Sequence, residues 1–147
     1  MPIPEPGYVF DTNVLVSALL FTNSTPGRAF TLAQDRGTIL VSLPLLQELQ
    51  QVLSRPKFER YVTQDERDDF LTRLTKEASL VTVTVQLQVV RDPKDDLILE
   101  LAVSGHATGI ISGDQDLLTL GSYDGIPIST PAQFLQREEQ SQVDSSS

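Results

Sequence analysis

Cysteine is absent from the 147-residue sequence, and histidine occurs once, at His106. The lack of cysteine excludes disulfide bonds and thiolate metal sites, and a single histidine disfavours a histidine-based metal centre. No apolar run approaches the roughly 20 residues that a membrane-spanning helix needs. The first residues, MPIPEPG, carry neither positive charges nor a long apolar run, so no secretory signal is predicted. We therefore expect a cytoplasmic protein without membrane association.

Basic residues are also few, with 11 Lys and Arg against 20 Asp and Glu and a formal net charge of −9. Proteins that bind nucleic acids rely on Lys and Arg to contact phosphates, so this balance argues against nucleic-acid binding. Nucleic-acid binding is compatible with this charge if bound metal neutralises some carboxylates or if a basic partner supplies the missing positive charge. The simpler alternative is that the charge only keeps the protein soluble.

The chain has the length of one domain, in which short apolar runs alternate with segments of helical periodicity. This alternation predicts an α/β fold, a three-layer α/β/α sandwich around a parallel sheet of four to five strands. Because Pro127 cannot donate to a sheet, the last strand is predicted at an edge. Predicted strands are 8–10, 38–41, 80–85, 108–112 and 126–128. An extended lead-in (1–6), the domain (7–138), whose last helix is predicted over 131–137, and a disordered tail (139–147) complete the organisation.

Aspartates follow two of the predicted strands at the point where each strand ends. Asp11 comes directly after the first strand, and Asp114 follows the apolar strand that ends near Ser112, with Asp116 two residues later. Each could simply cap the helix that follows, because Asp is a favoured N-cap residue. Ligand crevices of parallel α/β sheets, however, lie beyond the carboxyl ends of the strands. We therefore expect these carboxylates to lie close together.

Two predicted helices carry further acids near their apolar faces. Glu48 lies beside the apolar arc of PLLQELQQVLS, where it is either a solvated boundary residue or part of a site. Asp95 shares its helical rows with apolar residues in DPKDDLILELA, whereas Asp96 lies on a mixed face. Either aspartate could belong to the first turn of its helix. The position of Asp95 on the apolar face favours it as the site residue, with Asp96 as the alternative acid.

A crevice that gathers Asp11, Glu48, Asp95 and Asp114 needs protons or cations to offset their mutual repulsion. Oxygen ligands are those that Mg²⁺ and Mn²⁺ prefer. Such a cluster suits metal-assisted hydrolysis of a phosphodiester. The side chains expected to hydrogen-bond these carboxylates or a metal-bound water are Thr12, Asn13 and Ser112.

Four motifs in order, FDTNVLVSAL, PLLQEL, DPKDDLILELA and SGDQDLL, resemble those of PIN domains, and the chain is most similar to the VapC-like toxins of toxin–antitoxin systems. The resemblance spans about residues 7–136. It implies an Mg²⁺- or Mn²⁺-dependent endoribonuclease that hydrolyses single-stranded or structured RNA, a small antitoxin partner and a possible homodimer. The alternative is a catalytically weak or inactive PIN-fold binding module. The acids that match the family positions are Asp11, Glu48, Asp95, Asp114 and Asp116.

A small basic group with interleaved aromatics follows the Glu48 helix in SRPKFERY. Its cations could contact RNA phosphates and its aromatics could stack on bases. Burial of the aromatics against the core is the more common arrangement. The candidate RNA-binding residues are Arg55, Lys57 and Arg60.

Overall fold

The computed structural model describes residues 5–145, and side chains through residue 140. Its strands are β1 (Gly7–Phe10), β2 (Thr38–Val41), β3 (Ser79–Leu80), β4 (Gly109–Ile111), β5 (Ser122–Tyr123) and β6 (Ile126–Ser129). Its α-helices are α1 (Thr12–Leu20), α2 (Thr25–Arg36), α3 (Leu43–Leu53), α4 (Gln64–Glu77), α5 (Pro93–Ser104), α6 (Gln115–Leu120) and α7 (Pro131–Ser145). A short 3₁₀ turn, Pro56–Phe58, follows α3.

The strands form one mixed sheet in the order β3-β2-β1-β4-β6-β5, in which only the β5–β6 pair is antiparallel. This is the central layer of the predicted α/β/α arrangement, which is confirmed. The described sheet has six strands because the two-residue β5 adds to the predicted set. The prediction that the strand containing Pro127 lies at an edge is wrong, since β6 pairs with both β4 and β5.

The centre of the sheet is apolar because its strands are covered on both faces. Val9 and Phe10 of β1 have no exposed surface, and Ile110 and Ile111 of β4 are 1% exposed. Continuous apolar runs of this kind are typical of buried parallel strands. The three adjacent strands β2, β1 and β4 therefore form a rigid support for the residues that follow them.

Each of these three strands is followed, within three residues, by a side chain that caps the next helix. Asp11, Ser42 and Asp114 are the N-caps of α1, α3 and α6, and each side chain accepts a backbone hydrogen bond from the first turn of its helix. Such caps satisfy N–H groups that have no partner within the helix. The capping residues consequently stand along one edge of the sheet.

The strand predicted over 80–85 is wrong beyond its first residue, since β3 ends at Leu80. Residues 81–90, which we call the strap, have no regular secondary structure. Val81 N–H still donates to the Val41 carbonyl, at 2.8 Å. After Val81 the strap leaves the sheet and contacts α5. Side chains of α5, and not a neighbouring strand, accept hydrogen bonds from the backbone amides of the strap. These bonds are Thr84 to Ser104 (3.0 Å), Leu87 to Glu100 (2.7 Å), and Val89 and Val90 to Asp96 (2.9 and 3.0 Å).

Helix α7 extends to Ser145, beyond the predicted end at residue 137. The prediction of disorder over 139–147 is therefore wrong for residues 139–145, and residues 146–147 lie outside the described part. Two ion pairs join the start of this extension to α2, since Arg36 and Arg28 contact Glu138 and Glu139 at 3.4 and 3.3 Å. Residues 1–4 of the predicted lead-in also lie outside the description, and the domain limits 7–138 stay a prediction. Within the described ranges, no helix is long and apolar enough to cross a bilayer.

Candidate active site

Asp11 is 5% exposed and is held by three donors at the end of β1. Its Oδ1 accepts from Val14 N–H at 2.8 Å, and its Oδ2 accepts from the Ser112 hydroxyl and from Gly113 N–H, the latter at 3.2 Å. Burial raises the pKa of Asp11, and these hydrogen bonds offset part of that effect. Asp11 is thus both a helix cap and a fixed carboxylate that joins the ends of β1 and β4.

Glu48 reaches the same edge from the middle of α3, with 15% of its side chain exposed. The Thr12 hydroxyl donates to its Oε2 at 2.9 Å, and Lys94 Nζ lies 3.9 Å from its Oε1. Thr12 therefore positions Glu48, while Ser112 positions Asp11. The structure gives both predicted supporting hydroxyls a carboxylate partner.

Asp95 lies in the first turn of α5 and is 8% exposed. Its Oδ2 is buried and has no hydrogen-bond partner among the described residues. Burial, followed by the negative charge of Asp114 and a hydrogen bond between the two carboxyls, raises the pKa of Asp95 to about 7. A buried oxygen without a hydrogen-bond partner lowers the stability of the folded protein unless a proton or a ligand binds it.

The alternative acid, Asp96, has a different environment. It is 7% exposed, but its Oδ1 accepts from the amides of Val89 and Val90 in the strap. The carboxylate that lines the cleft is that of Asp95. The geometry therefore favours Asp95 as the ligand at this position, as the helical rows predict.

Asp114 and Asp116 lie at the start of α6. Asp114 N–H donates to Ser112 Oγ at 2.9 Å, and its Oδ1 accepts from Asp116 N–H at 2.9 Å. One carboxylate oxygen from each of Asp95, Asp114 and Asp116 lies within 4.8 Å of the others. This triad could hold a metal ion, and its oxygen-only ligands suit a hard divalent cation. The partnerless Asp95 Oδ2 agrees with such a ligand.

The acids open onto a cleft of about 190 Å³. Asn13 lines it at the start of α1, and Arg55 lines it just beyond α3. Lys57 and Arg60 are exposed and do not line it, and Lys57 Nζ instead lies 5.0 Å from the Phe58 ring centroid. The lining residues are Asp11, Thr12, Asn13, Glu48, Val52, Arg55, Asp92, Lys94, Asp95, Ile98 and Asp114.

Three charged residues near this cleft are absent from the predicted set. Asp92 and Lys94 line it, and Arg91 Nη2 contacts Asp116 Oδ1 at 3.0 Å. Their sequence signal is the dense run of alternating charge in RDPKDD, directly before the predicted site aspartate. The same run also marks the start of a helix, because Asp92 is the N-cap of α5.

The fold and the site together define an α/β protein with an acid-lined cleft at the carboxyl edge of its parallel strands. A family model described as a PIN domain matches residues 7–116, about three quarters of the chain. The chain belongs to the PIN domain family, which is a family of nucleases.

Individual proteins are similar to this chain over most of its length. MJ1680, an uncharacterised protein of Methanocaldococcus jannaschii, is 27% identical over 141 residues, which cover 89% of this chain and 90% of the relative. The structure of VapBC2 from Rickettsia felis, bound to a DNA fragment from its promoter, has a chain that matches with a TM-score of 0.60 and 15% identity, covering 84% of this chain and 98% of that one. VapC20 of Mycobacterium tuberculosis, described as a sarcin–ricin loop cleaving toxin, matches with a TM-score of 0.54 and 12% identity, covering 82% and 98%. At these identities the two structures show a shared fold.

Proposed function

We propose that this protein is a divalent-metal-dependent endoribonuclease that acts in the cytoplasm as the toxin of a toxin–antitoxin pair. The observation that carries the proposal is the convergence of Asp11, Glu48, Asp95 and Asp114 on one cleft, where a buried oxygen of Asp95 has no hydrogen-bond partner in the described part of the chain. Four carboxylates gathered in this way repel one another unless a cation joins them. Membership of a nuclease family agrees with this chemistry.

The cofactor would be Mg²⁺ or Mn²⁺, held by Asp11, Glu48, Asp95 and Asp114, with Asp116 as a further ligand. Bound there, the metal ion would activate water and stabilise the charge that develops on the phosphate. Thr12 and Ser112 keep Glu48 and Asp11 in fixed orientations, so the ligands need little reorganisation. Asn13, at the mouth of the cleft, would hydrogen-bond the attacking water or the substrate.

The proposed substrate is RNA, and the proposed partner is a small antitoxin. A toxin described as cleaving the sarcin–ricin loop shares the fold, which supports an RNA substrate. An antitoxin with basic residues would complement a chain with a net charge of −9. Arg55, which lines the cleft, would contact the RNA backbone, whereas Lys57 and Arg60 would act outside it. A homodimer is part of the same proposal.

The second candidate is a PIN-fold binding module without useful activity. Two observations favour it, because Lys94 lies near Glu48 and Arg91 contacts Asp116, so cations of the chain already neutralise two of the acids. A module of this kind would bind a basic partner through the cleft and would cleave nothing. The two functions differ in whether Mn²⁺ produces RNA cleavage by the wild-type protein.

Asp11→Asn tests the nuclease assignment, because the amide keeps an acceptor for Val14 N–H but removes the charge. We expect Mn²⁺-dependent cleavage of single-stranded RNA, measured well below the unfolding temperature, to fall by roughly 100-fold or more. Thermal unfolding of the variant is recorded alongside, because the amide nitrogen cannot accept from Gly113 N–H as Asp11 Oδ2 does. Asp69→Asn, at an exposed position of α4, is the matched control and should cleave as the wild type does.

An Asp11→Asn variant as active as wild type would remove Asp11 from the site. Absence of any heat or melting shift on Mn²⁺ titration of the wild type would contradict the metal proposal. The toxin role is tested separately by expression in bacteria. We expect growth arrest that is relieved by co-expression of the small gene adjacent to this one.

A further inference from the structure

Two cations in and beside the cleft pair with two of the site's acids, Glu48 and Asp116. Lys94 Nζ lies 3.9 Å from Glu48 Oε1, and Arg91 Nη2 lies 3.0 Å from Asp116 Oδ1. The inner acids differ, since no salt bridge to Asp11, Asp95 or Asp114 is present within residues 5–140. The chain therefore supplies positive charge only to the acids at the rim.

These two ion pairs are exchangeable. The side chains of Lys94 and Arg91 are 59% and 89% exposed, so water screens both pairs. Exposed pairs contribute little to stability, because each gains modest Coulomb energy and loses side-chain entropy. A divalent cation on the carboxylates would repel both groups and release them at small cost.

The released cations would stand where RNA must approach. A substrate phosphate nearing this cleft meets acids on a protein with a net charge of −9, and it needs nearby cations to offset that repulsion. Lys94 lines the cleft in the first turn of α5, while Arg55 lines it from the segment after α3. Arg91 precedes α5 by two residues and extends the positive rim towards α6.

We propose that Lys94 and Arg91 are phosphate-binding residues that change partner: they neutralise Glu48 and Asp116 in the metal-free protein and contact the RNA backbone once a divalent cation occupies the carboxylates. This inference rests on the proposed nuclease function and deepens it. It predicts effects of opposite sign, because removal of the two cations should strengthen metal binding and weaken RNA binding.

The test compares the wild type with Lys94→Gln/Arg91→Gln and with a control, Lys76→Gln/Arg73→Gln. The control removes the same charge from α4, whose Lys76 and Arg73 line cavities that share no residue with the cleft. Mn²⁺ binding is measured by calorimetry without RNA. Binding of a short oligoribonucleotide is measured by fluorescence anisotropy with Mn²⁺ and again with a chelator, over a range of salt concentrations. The measurements are made at low temperature, and gel electrophoresis checks that the probe stays intact.

We expect the Lys94/Arg91 double variant to bind Mn²⁺ roughly two- to five-fold more tightly than wild type. With Mn²⁺ present, the negative slope of log affinity against log salt should be shallower by about 1.4 for this variant, the value for two phosphate contacts on a single strand. With chelator, the variant should bind the oligonucleotide only as much more weakly than wild type as the control does, since both double variants lose two positive charges. The control should match wild type in its Mn²⁺ affinity and in the metal dependence of its RNA binding.

Unchanged or weaker Mn²⁺ binding by the double variant would overturn the exchange of partners. An equal loss of RNA binding with and without Mn²⁺ would also overturn it, since the two cations would then act independently of the metal. Both results leave the nuclease proposal intact if the wild type cleaves RNA. A wild type that neither binds nor cleaves RNA with Mn²⁺ would instead overturn the proposed function, and this inference with it.

Discussion

Asp95 and Asp96 are consecutive residues of α5 with almost equal burial, 8% and 7% exposed, yet their surroundings are opposite. Two strap amides donate to Asp96 Oδ1, whereas Asp95 Oδ2 has no hydrogen-bond partner among the described residues and the Asp95 carboxyl lies near that of Asp114. One helical step of about 100° separates a satisfied carboxylate from an unsatisfied one.

The difference shows what burial of a carboxylate does and does not indicate. A buried charge is tolerated when donors surround it, as the strap amides do for Asp96. A buried charge without donors lowers stability unless a ligand arrives, so Asp95 indicates a binding site. The number of donors therefore distinguishes the structural acid from the functional one, although both are equally hidden from solvent.

The largest expected effect is on the pH dependence of stability, through Asp95→Asn. The pKa of Asp95 is raised from 3.8 to about 7, so the folded state favours the protonated form. Its stabilising contribution is complete below the unfolded value and is lost as pH rises to about 7. In the metal-free protein, Asp95→Asn should gain stability relative to wild type over this range, by on the order of 3 kcal/mol, since Asp114 shares part of the shift and solvent screens it.

Urea denaturation of both proteins at a series of pH values, with a chelator present, measures this difference. Asp69→Asn, which removes an exposed charge, should show no comparable trend. Mn²⁺ should then stabilise wild type more than Asp95→Asn, because the ion binds the ionised carboxylate. A stability difference that does not vary with pH would show that Asp95 is satisfied in the folded protein.

The second effect concerns the other member of the pair, through Asp96→Ala. Removal of this carboxylate leaves two strap amides, those of Val89 and Val90, without their acceptor. We expect a loss of about 2 kcal/mol in the free energy of unfolding, the usual cost of lost hydrogen bonds to a charged group. Asp96→Asn keeps an acceptor oxygen and should lose less.

Urea denaturation at neutral pH measures the stability of both variants, and RNA cleavage below the unfolding temperature measures their activity. Both variants should retain Mn²⁺-dependent cleavage. Loss of cleavage in a folded Asp96→Asn protein would reverse the assignment of Asp95 and Asp96.

Much of the site follows from local rules that depend only on sequence order. Asp11 and Asp114 come after apolar strands, and the carboxyl ends of parallel strands share one edge, so their proximity is predictable. Asp95 is distinguished from Asp96 by its helical rows, and Glu48 by its place beside an apolar arc. The periodicity of α5 favours Asp95 over Asp96, whereas that of α3 leaves Glu48 either a solvated boundary residue or part of the site.

The charges around the site depend on tertiary contacts and escape such rules. Arg91 and Lys94 are adjacent to aspartates in sequence, yet their partners are Asp116 and Glu48, which belong to other helices. The strand prediction for the strap is wrong for a related reason. Its alternation, VTVTVQLQ, is typical of a strand, but whether a strand forms depends on a neighbour that sequence order does not reveal. Here the neighbour is a helix face with acceptors four residues apart.

The smallest expected effect lies at the far end of that face, with Ser104→Ala. Ser104 Oγ accepts from Thr84 N–H at 3.0 Å, as Asp96 accepts from the strap two turns earlier, but Thr84 is exposed. Water can replace the lost acceptor, and the serine carries no charge, so we expect a loss of about 0.5 kcal/mol. Hydrogen exchange should show faster exchange of the Thr84 amide, while those of Val89 and Val90 stay protected. If Ser104→Ala exposed all three amides equally, the strap would detach as a unit, and the contribution of Asp96 would belong to the whole segment.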